Sequence, residues 1–169
     1  LRFGKLFDSL YILGRLRTIT GFQSPMSEEQ KNITEITNLL QGGETESLRN
    51  KLMDLKSADI ADILENLEDK ENRKEVFRIL DDESSSEVLL LLDRDVEIEL
   101  IDGISDKQLA DIVEEMAPDD AADFLGDIED KSRMQNLLQE INDEERKEIL
   151  HLLSFDEESA GGIMTSEFL

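Results

Sequence analysis

An all-α fold, a superhelical array of short stacked helices, is predicted by three features of the sequence. Apolar residues recur at helical spacing throughout, and nowhere does a strand-like alternation outcompete them. A phrase near the middle of the chain returns 61 residues later in the same register. Leu and Ile carry the burial, because only 5% of the 169 residues are aromatic and Trp is absent. With two prolines in the whole chain, little interrupts helical runs.

The elements follow in order. Ser27 with Gln30 has capping-box spacing and predicts a helix start. Ile33, Ile36, Leu39 and Leu40 give that helix one apolar face, and Gly42-Gly43 end it. A second helix is predicted over about Thr45 to Met53, burying Leu48, Leu52 and Met53. Ser57 reads as the cap of a third, with Ile60, Ile63, Leu64 and Leu67 inward. Further helices are expected at about 70–80, 84–92, 95–102, 105–116, 118–128, 132–141 and 143–153. Ser105 with Gln108, and Asn142 with Glu145, repeat the capping spacing. Val88-Leu89-Leu90-Leu91-Leu92 has the composition of a strand, but its neighbours and its place in the repeat make it a buried helix.

The repeat sets the architecture. Ser57-Ala58-Asp59-Ile60-Ala61-Asp62-Ile63-Leu64 lies over Pro118-Asp119-Asp120-Ala121-Ala122-Asp123-Phe124-Leu125. The register persists through Glu68-Asp69-Lys70 over Glu129-Asp130-Lys131, and through Leu91-Leu92 over Leu152-Leu153. Leu109-Ala110-Asp111-Ile112-Val113 is a third copy of the core phrase. Short helices that repeat cannot each close a core, so they stack on neighbours and expose an extended surface, here acidic.

Charge limits the partners. Asp and Glu number 42 against 18 Lys and Arg, a formal net charge of −24. Such an excess excludes phosphate-neutralising nucleic-acid binding and points to cations or basic surfaces. Two carboxylates about 6 Å apart repel by roughly 0.7 kcal/mol in bulk water, and more near a protein surface. Dozens together make the compact state sensitive to salt and divalent ions. The absence of Cys removes disulfides, thiolate metal sites and thiol catalysis. The single His151 is read as a packing or surface residue, so neither a zinc site nor a histidine-based triad is expected. No apolar run reaches the roughly 18 residues of a membrane span, and the chain is expected to be soluble.

Residues 1–26 differ from the rest. Arg2, Lys5, Arg15 and Arg17 stand against Asp8 alone before Met26, a net of +3 that leaves −27 for the remainder. Phe3, Leu6, Phe7, Leu10, Leu13 and Leu16 make this stretch amphipathic. Two readings stand: a membrane-surface helix, or a non-native extension ahead of Met26-Ser27-Glu28-Glu29, which reads like an ordinary protein start. The expected organisation is this extension at 1–26, an acidic helical domain at 27–155 and a linker at 156–169. A chain that opens on Leu and stops at Leu169 reads as a fragment.

Candidate chemistry rests on carboxylates. Asp119 and Asp123 are four apart, so a helix places them on one face, where they could share a hard cation that keeps its waters. Asp near a helix N-terminus also has a purely structural role against the helix dipole, and the equivalent Asp62 and Asp111 support that reading for Asp123. A glycosidase-like carboxylate pair would need a deep pocket with aromatic platforms, for which Tyr11 and seven Phe are poor material. No calcium loop, phosphate-cradling Gly-rich loop or nucleophile elbow is present, and the chain is read as a non-enzyme with no small-molecule substrate. Ser159-Ala160-Gly161-Gly162-Ile163-Met164-Thr165 breaks the helical pattern with small residues that permit tight turns.

That tail and Asp119-Asp120-Ala121-Ala122-Asp123, supported by Ala58-Asp59-Ile60-Ala61 and Ser86-Glu87-Val88-Leu89, resemble the MgtE family of magnesium transporters and channels. The likeness covers about Thr34 to Leu169 and is to the family's amino-terminal cytosolic domain. It implies a right-handed superhelix at the cytoplasmic face of the membrane, followed by CBS domains, a connecting helix and a dimeric membrane pore. It also implies that Mg²⁺ bridges the acidic domains and holds the pore closed. By the same resemblance the ligands fall on Asp119, Asp123 and Glu87, with a backbone carbonyl of the Gly-Gly turn pointing to Gly161. The partner ligands would lie on CBS domains absent from this chain, which by itself cannot conduct ions. An acidic, metal-independent interaction scaffold, resembling the middle region of the flagellar motor switch protein, is the alternative.

Overall fold

The computed structural model describes residues 26–154, and every regular element among them is an α-helix. In chain order these are α1 (Glu28–Gly42), α2 (Thr45–Met53), α3 (Ser57–Asn66), α4 (Lys70–Ile79) and α5 (Asp82–Leu89). The second half adds α6 (Arg94–Ile101), α7 (Asp106–Glu114), α8 (Pro118–Gly126), α9 (Lys131–Glu140) and α10 (Asp143–Leu153). The basic extension and the Gly-Gly tail, Gly161 included, lie outside the described residues.

Local chemistry starts and stops these helices. Ser27 and Gln30 form the full reciprocal capping box at α1, and Gly43 ends that helix with φ +65°, a left-handed conformation that suits glycine. Asp69 accepts from the amides of Glu71 and Asn72, and its repeat equivalent Asp130 accepts from those of Ser132 and Arg133. Asp81 caps α5 through the Ser84 amide, and the equivalent Asn142 caps α10 through Glu144 and Glu145. Each cap supplies about 1 kcal/mol by satisfying amides that a short helix leaves open. The internal repeat is thus visible as repeated caps: α3–α4–α5 answers α8–α9–α10.

Packing follows the repeat. Apart from α2, each helix lies chiefly against the helix two places away: α1 on α3, α3 on α5, α5 on α7 and α7 on α9 in one row, α4 on α6 and α8 on α10 in the other. Helix α1 also packs on α2. Between the rows runs one continuous apolar core, in which Leu48, Leu64, Val76, Val88, Leu109, Leu125 and Leu137 are completely buried. No helix holds enough of this core to be stable alone, which ties each to its neighbours.

Polar stitches join the layers. Arg133 of α9 donates to the carbonyls of Ile101 (2.6 Å) and Ile104 (3.2 Å) and pairs with Asp102 and Asp106, closing the α6–α7 turn onto α9. Arg49 reaches the Ile79 carbonyl at 3.1 Å. The Glu65 and Glu114 carboxylates accept from the Asp93 and Asn142 amides, each 28 residues further on. Arg73 Nε faces Glu99 Oε1 at 3.3 Å as an ion pair without hydrogen-bond alignment.

Three local expectations are corrected. Ser57 is the first residue of α3, not its cap; Lys56 holds the cap position without a side-chain bond, and the Ser57 hydroxyl is turned to Glu87. Met53 is 77% exposed, because α2 ends there and its inner face is completed by Leu48 and Leu52. The helix expected at 84–92 begins at Asp82, where Asp81 caps it, and ends at Leu89; Leu90 and Leu91 turn outward before Leu92 returns to the core.

Candidate functional site

Helix α8 places the principal acidic turn. Pro118 occupies its first turn, where the missing N–H costs nothing, and Ala117 at the cap position offers no side-chain acceptor. Its inner face is Ala121, Ala122, Phe124 and Leu125, all buried, which fixes the helix against α10. At the far end Arg94 of α6 donates to the Asp127 carbonyl and to Glu97, so the C-terminus of α8 is anchored as well. The turn is therefore rigidly presented.

Asp119, Asp120 and Asp123 form its outer edge. Asp119 is half-buried, and its Oδ1 is sealed from solvent with no hydrogen-bond partner. A buried carboxylate oxygen without a donor is costly, and such atoms call for an explanation. Asp120 and Asp123 are exposed. Burial pushes the Asp120 carboxyl above the ordinary carboxylate range, and the fields of Asp119 and Asp123 add to it. Asp120 therefore feels both of the other carboxylates. Asp120 was not singled out by spacing; its adjacency to both neighbours on a helix start was the available signal.

Glu87 stands on α5, exposed, and its carboxylate accepts a short hydrogen bond from the Ser57 hydroxyl of α3. Position 57 corresponds in the repeat to Pro118, which has no hydroxyl, so this fixing contact belongs to the first copy alone. Asp119 and Asp123 share a helix as the spacing predicted, while Glu87 reaches the surface from the other row of the array. Among the described residues, no three acidic or histidine side chains converge to hold a metal ion. No described helix is long and apolar enough to cross a membrane.

Residues 55–158 match the model of the MgtE intracellular N domain. The chain belongs to this family. The matched model is that of an intracellular domain. Two solved structures are similar: the soluble part of a magnesium transporter and the cytosolic domain of the Mg²⁺ channel MgtE in complex with ATP. The first is 25% identical with a TM-score of 0.72 and covers 83% of this chain and 55% of its own. The second is 30% identical with a TM-score of 0.73, covering 80% of this chain and 55% of its own. This MgtE N domain thus spans about half the length of the structures it matches. No curated protein matches it.

Proposed function

We propose that this MgtE N domain senses Mg²⁺ for a magnesium transporter, at the cytoplasmic face of the membrane. In this reading Mg²⁺ bridges the acidic turn of α8 to a neighbouring CBS domain of a homodimeric full-length protein and favours the closed pore. The supporting observation is Asp119 Oδ1, a buried and unpartnered carboxylate oxygen beside two further carboxylates. Mg²⁺ keeps much of its water and commonly takes only one or two protein carboxylates from any one element. A half-site is the expected form of such an arrangement, with Asp119 and Asp123 as its contribution. Glu87, held by Ser57, and the Gly161 carbonyl would complete this side.

Charge supplies the mechanism. Two acidic domains repel at low Mg²⁺, and bound divalent ions cancel that repulsion and add direct ligation. The domain acts as a ligand-biased lever, the compact state being favoured by the difference in Mg²⁺ affinity between the two arrangements.

The test uses the longer protein that includes the following domains. Millimolar Mg²⁺ should contract its small-angle scattering radius, and Asp119→Ala combined with Asp123→Ala should abolish most of the contraction. Undiminished contraction in the double variant would remove these residues as ligands. Contraction by NaCl at matched ionic strength would reduce the effect to screening.

A further inference from the structure

A second acidic feature sits at the other end of the array. Between α1, the end of α2 and α3 lies a cleft of about 330 Å³. Glu28 and Glu29 line it from α1, Asp54 from the α2–α3 connection, and Asp59 and Asp62 from α3. Lys51 is the one cation on its wall, and its ammonium is drawn to Glu35 at 2.8 Å. Asp59 and Asp62 are the repeat equivalents of Asp120 and Asp123. In this copy the acidic turn forms one side of a half-open cleft.

Asn32 makes the cleft more than a cluster of acids. It lines the wall, only 7% of its surface is exposed, and its side-chain amide makes no hydrogen bond to another described residue. A mostly buried amide without a protein partner keeps its donors and its acceptor free for whatever occupies the cleft. Glu28 lies 3.8 Å from Lys31, and Glu29 receives a 3.4 Å bond from Asn66. The carboxylates of Asp54, Asp59 and Asp62 have no hydrogen-bond or ion-pair partner among the described residues.

Two observations select the ligand class. The acids do not converge three at a time on one point, as a directly held metal ion requires. Leu55 and Ile63 form part of the same lining. Carboxylates that do not converge, on a wall that also carries apolar surface, match a chain of methylenes carrying several ammonium groups. We propose that this cleft binds an aliphatic polyammonium cation, with the Asn32 carbonyl oxygen accepting from one ammonium and the carboxylates of Asp54, Asp59 and Asp62 pairing with the others. The site is independent of the Mg²⁺ reading, since it uses neither Asp119 nor Asp123.

Spermidine titrated into the full 169-residue chain, at about 0.15 M NaCl to screen diffuse attraction, tests this. Calorimetry should show one saturable site, with amide shifts centred on Asn32, Asp54 and Asp59. Asp54→Asn with Asp59→Asn, both exposed and so harmless to folding, should weaken binding about tenfold or more. Asn32→Leu should weaken it too, with circular dichroism reporting whether the helices persist. Shifts spread over all the acidic helices without saturation, or binding indifferent to the Asp54 and Asp59 changes, would overturn the site. If Mg²⁺ alone gave the same shifts at the same concentration, the site would be an inorganic one and the polyammonium assignment would fall.

Discussion

Glu97 is the acidic residue most deeply placed in the described chain, and burial raises its carboxyl above the ordinary range. Arg94, bonded to it at 2.7 Å, opposes the rise, and the nearby Asp127 adds to it. A carboxyl with a raised folded value binds its proton more tightly when folded. Its stabilising contribution is complete below the unfolded value and is lost as pH rises through the folded one. Asp120 has the same sign. The chain should therefore melt higher just below about pH 5 than at neutrality, where the unfolded carboxylates have already ionised. Glu97→Gln should flatten that part of the profile, as read from melting temperature against pH. Asp81 runs the other way: its bonds from Ser84 lower its value, so its contribution is present above the usual range and disappears as pH falls through the lowered one. At the acidic turn, Asp119→Asn should bring the Asp120 titration back toward the ordinary range by carboxyl NMR. An unmoved Asp120 would show that the coupling is absent. Spacing alone made Asp119 and Asp123 visible as a same-face pair. It could not show that one oxygen of Asp119 is sealed without a donor, because that depends on how α8 is packed.

At the scale of elements, the connections between helices carry as much information as the helices. Arg133 ties two backbone carbonyls and two carboxylates of the α6–α7 turn to α9. Arg133→Ala should cost about 1–3 kcal/mol in urea unfolding, since it strips carbonyls of their donor, and Arg133→Lys should recover little because one ammonium cannot span the same fork. Lys70→Ala, by contrast, removes a 69% exposed partner of Glu99 and should cost under about 0.5 kcal/mol. Leu125→Ala should cost about 2–5 kcal/mol, the residue being wholly buried between α8 and its neighbours. The helices themselves were legible: the capping phrases at Ser27, Ser105 and Asn142 each bond the predicted amides. Ser57 misled because a serine at a helix start is drawn either to the backbone or to a side chain, and the Glu87 carboxylate, which the fold brings within reach, competes for its hydroxyl.

The whole molecule is governed by its charge. With a net of −24 the chain is under constant self-repulsion, spread along rows of helices that contact mainly their neighbours. Melting temperature should rise with NaCl and rise further with Mg²⁺ at equal ionic strength. If Asp119→Ala with Asp123→Ala removes the excess over NaCl, the divalent effect is local to α8; if the excess persists, it belongs to the surface at large. The same repulsion suits a domain that moves away from an acidic neighbour when cations are withdrawn, which is the role proposed for it.

Sequence by itself determined the all-α class, the order and approximate extent of the helices, and the stacking implied by the repeat. Those follow from apolar periodicity, local caps and a register that recurs after 61 residues, all properties of neighbours along the chain. Only the tertiary structure decided which polar atoms lack partners and which acids share an environment. Asp119 on α8 and Asn32 beside α3 are ordinary helical residues in the sequence. The unpaired oxygen of Asp119 exists because helices far apart in the chain close around it and exclude both water and donors, and the same kind of closure leaves Asn32 only 7% exposed.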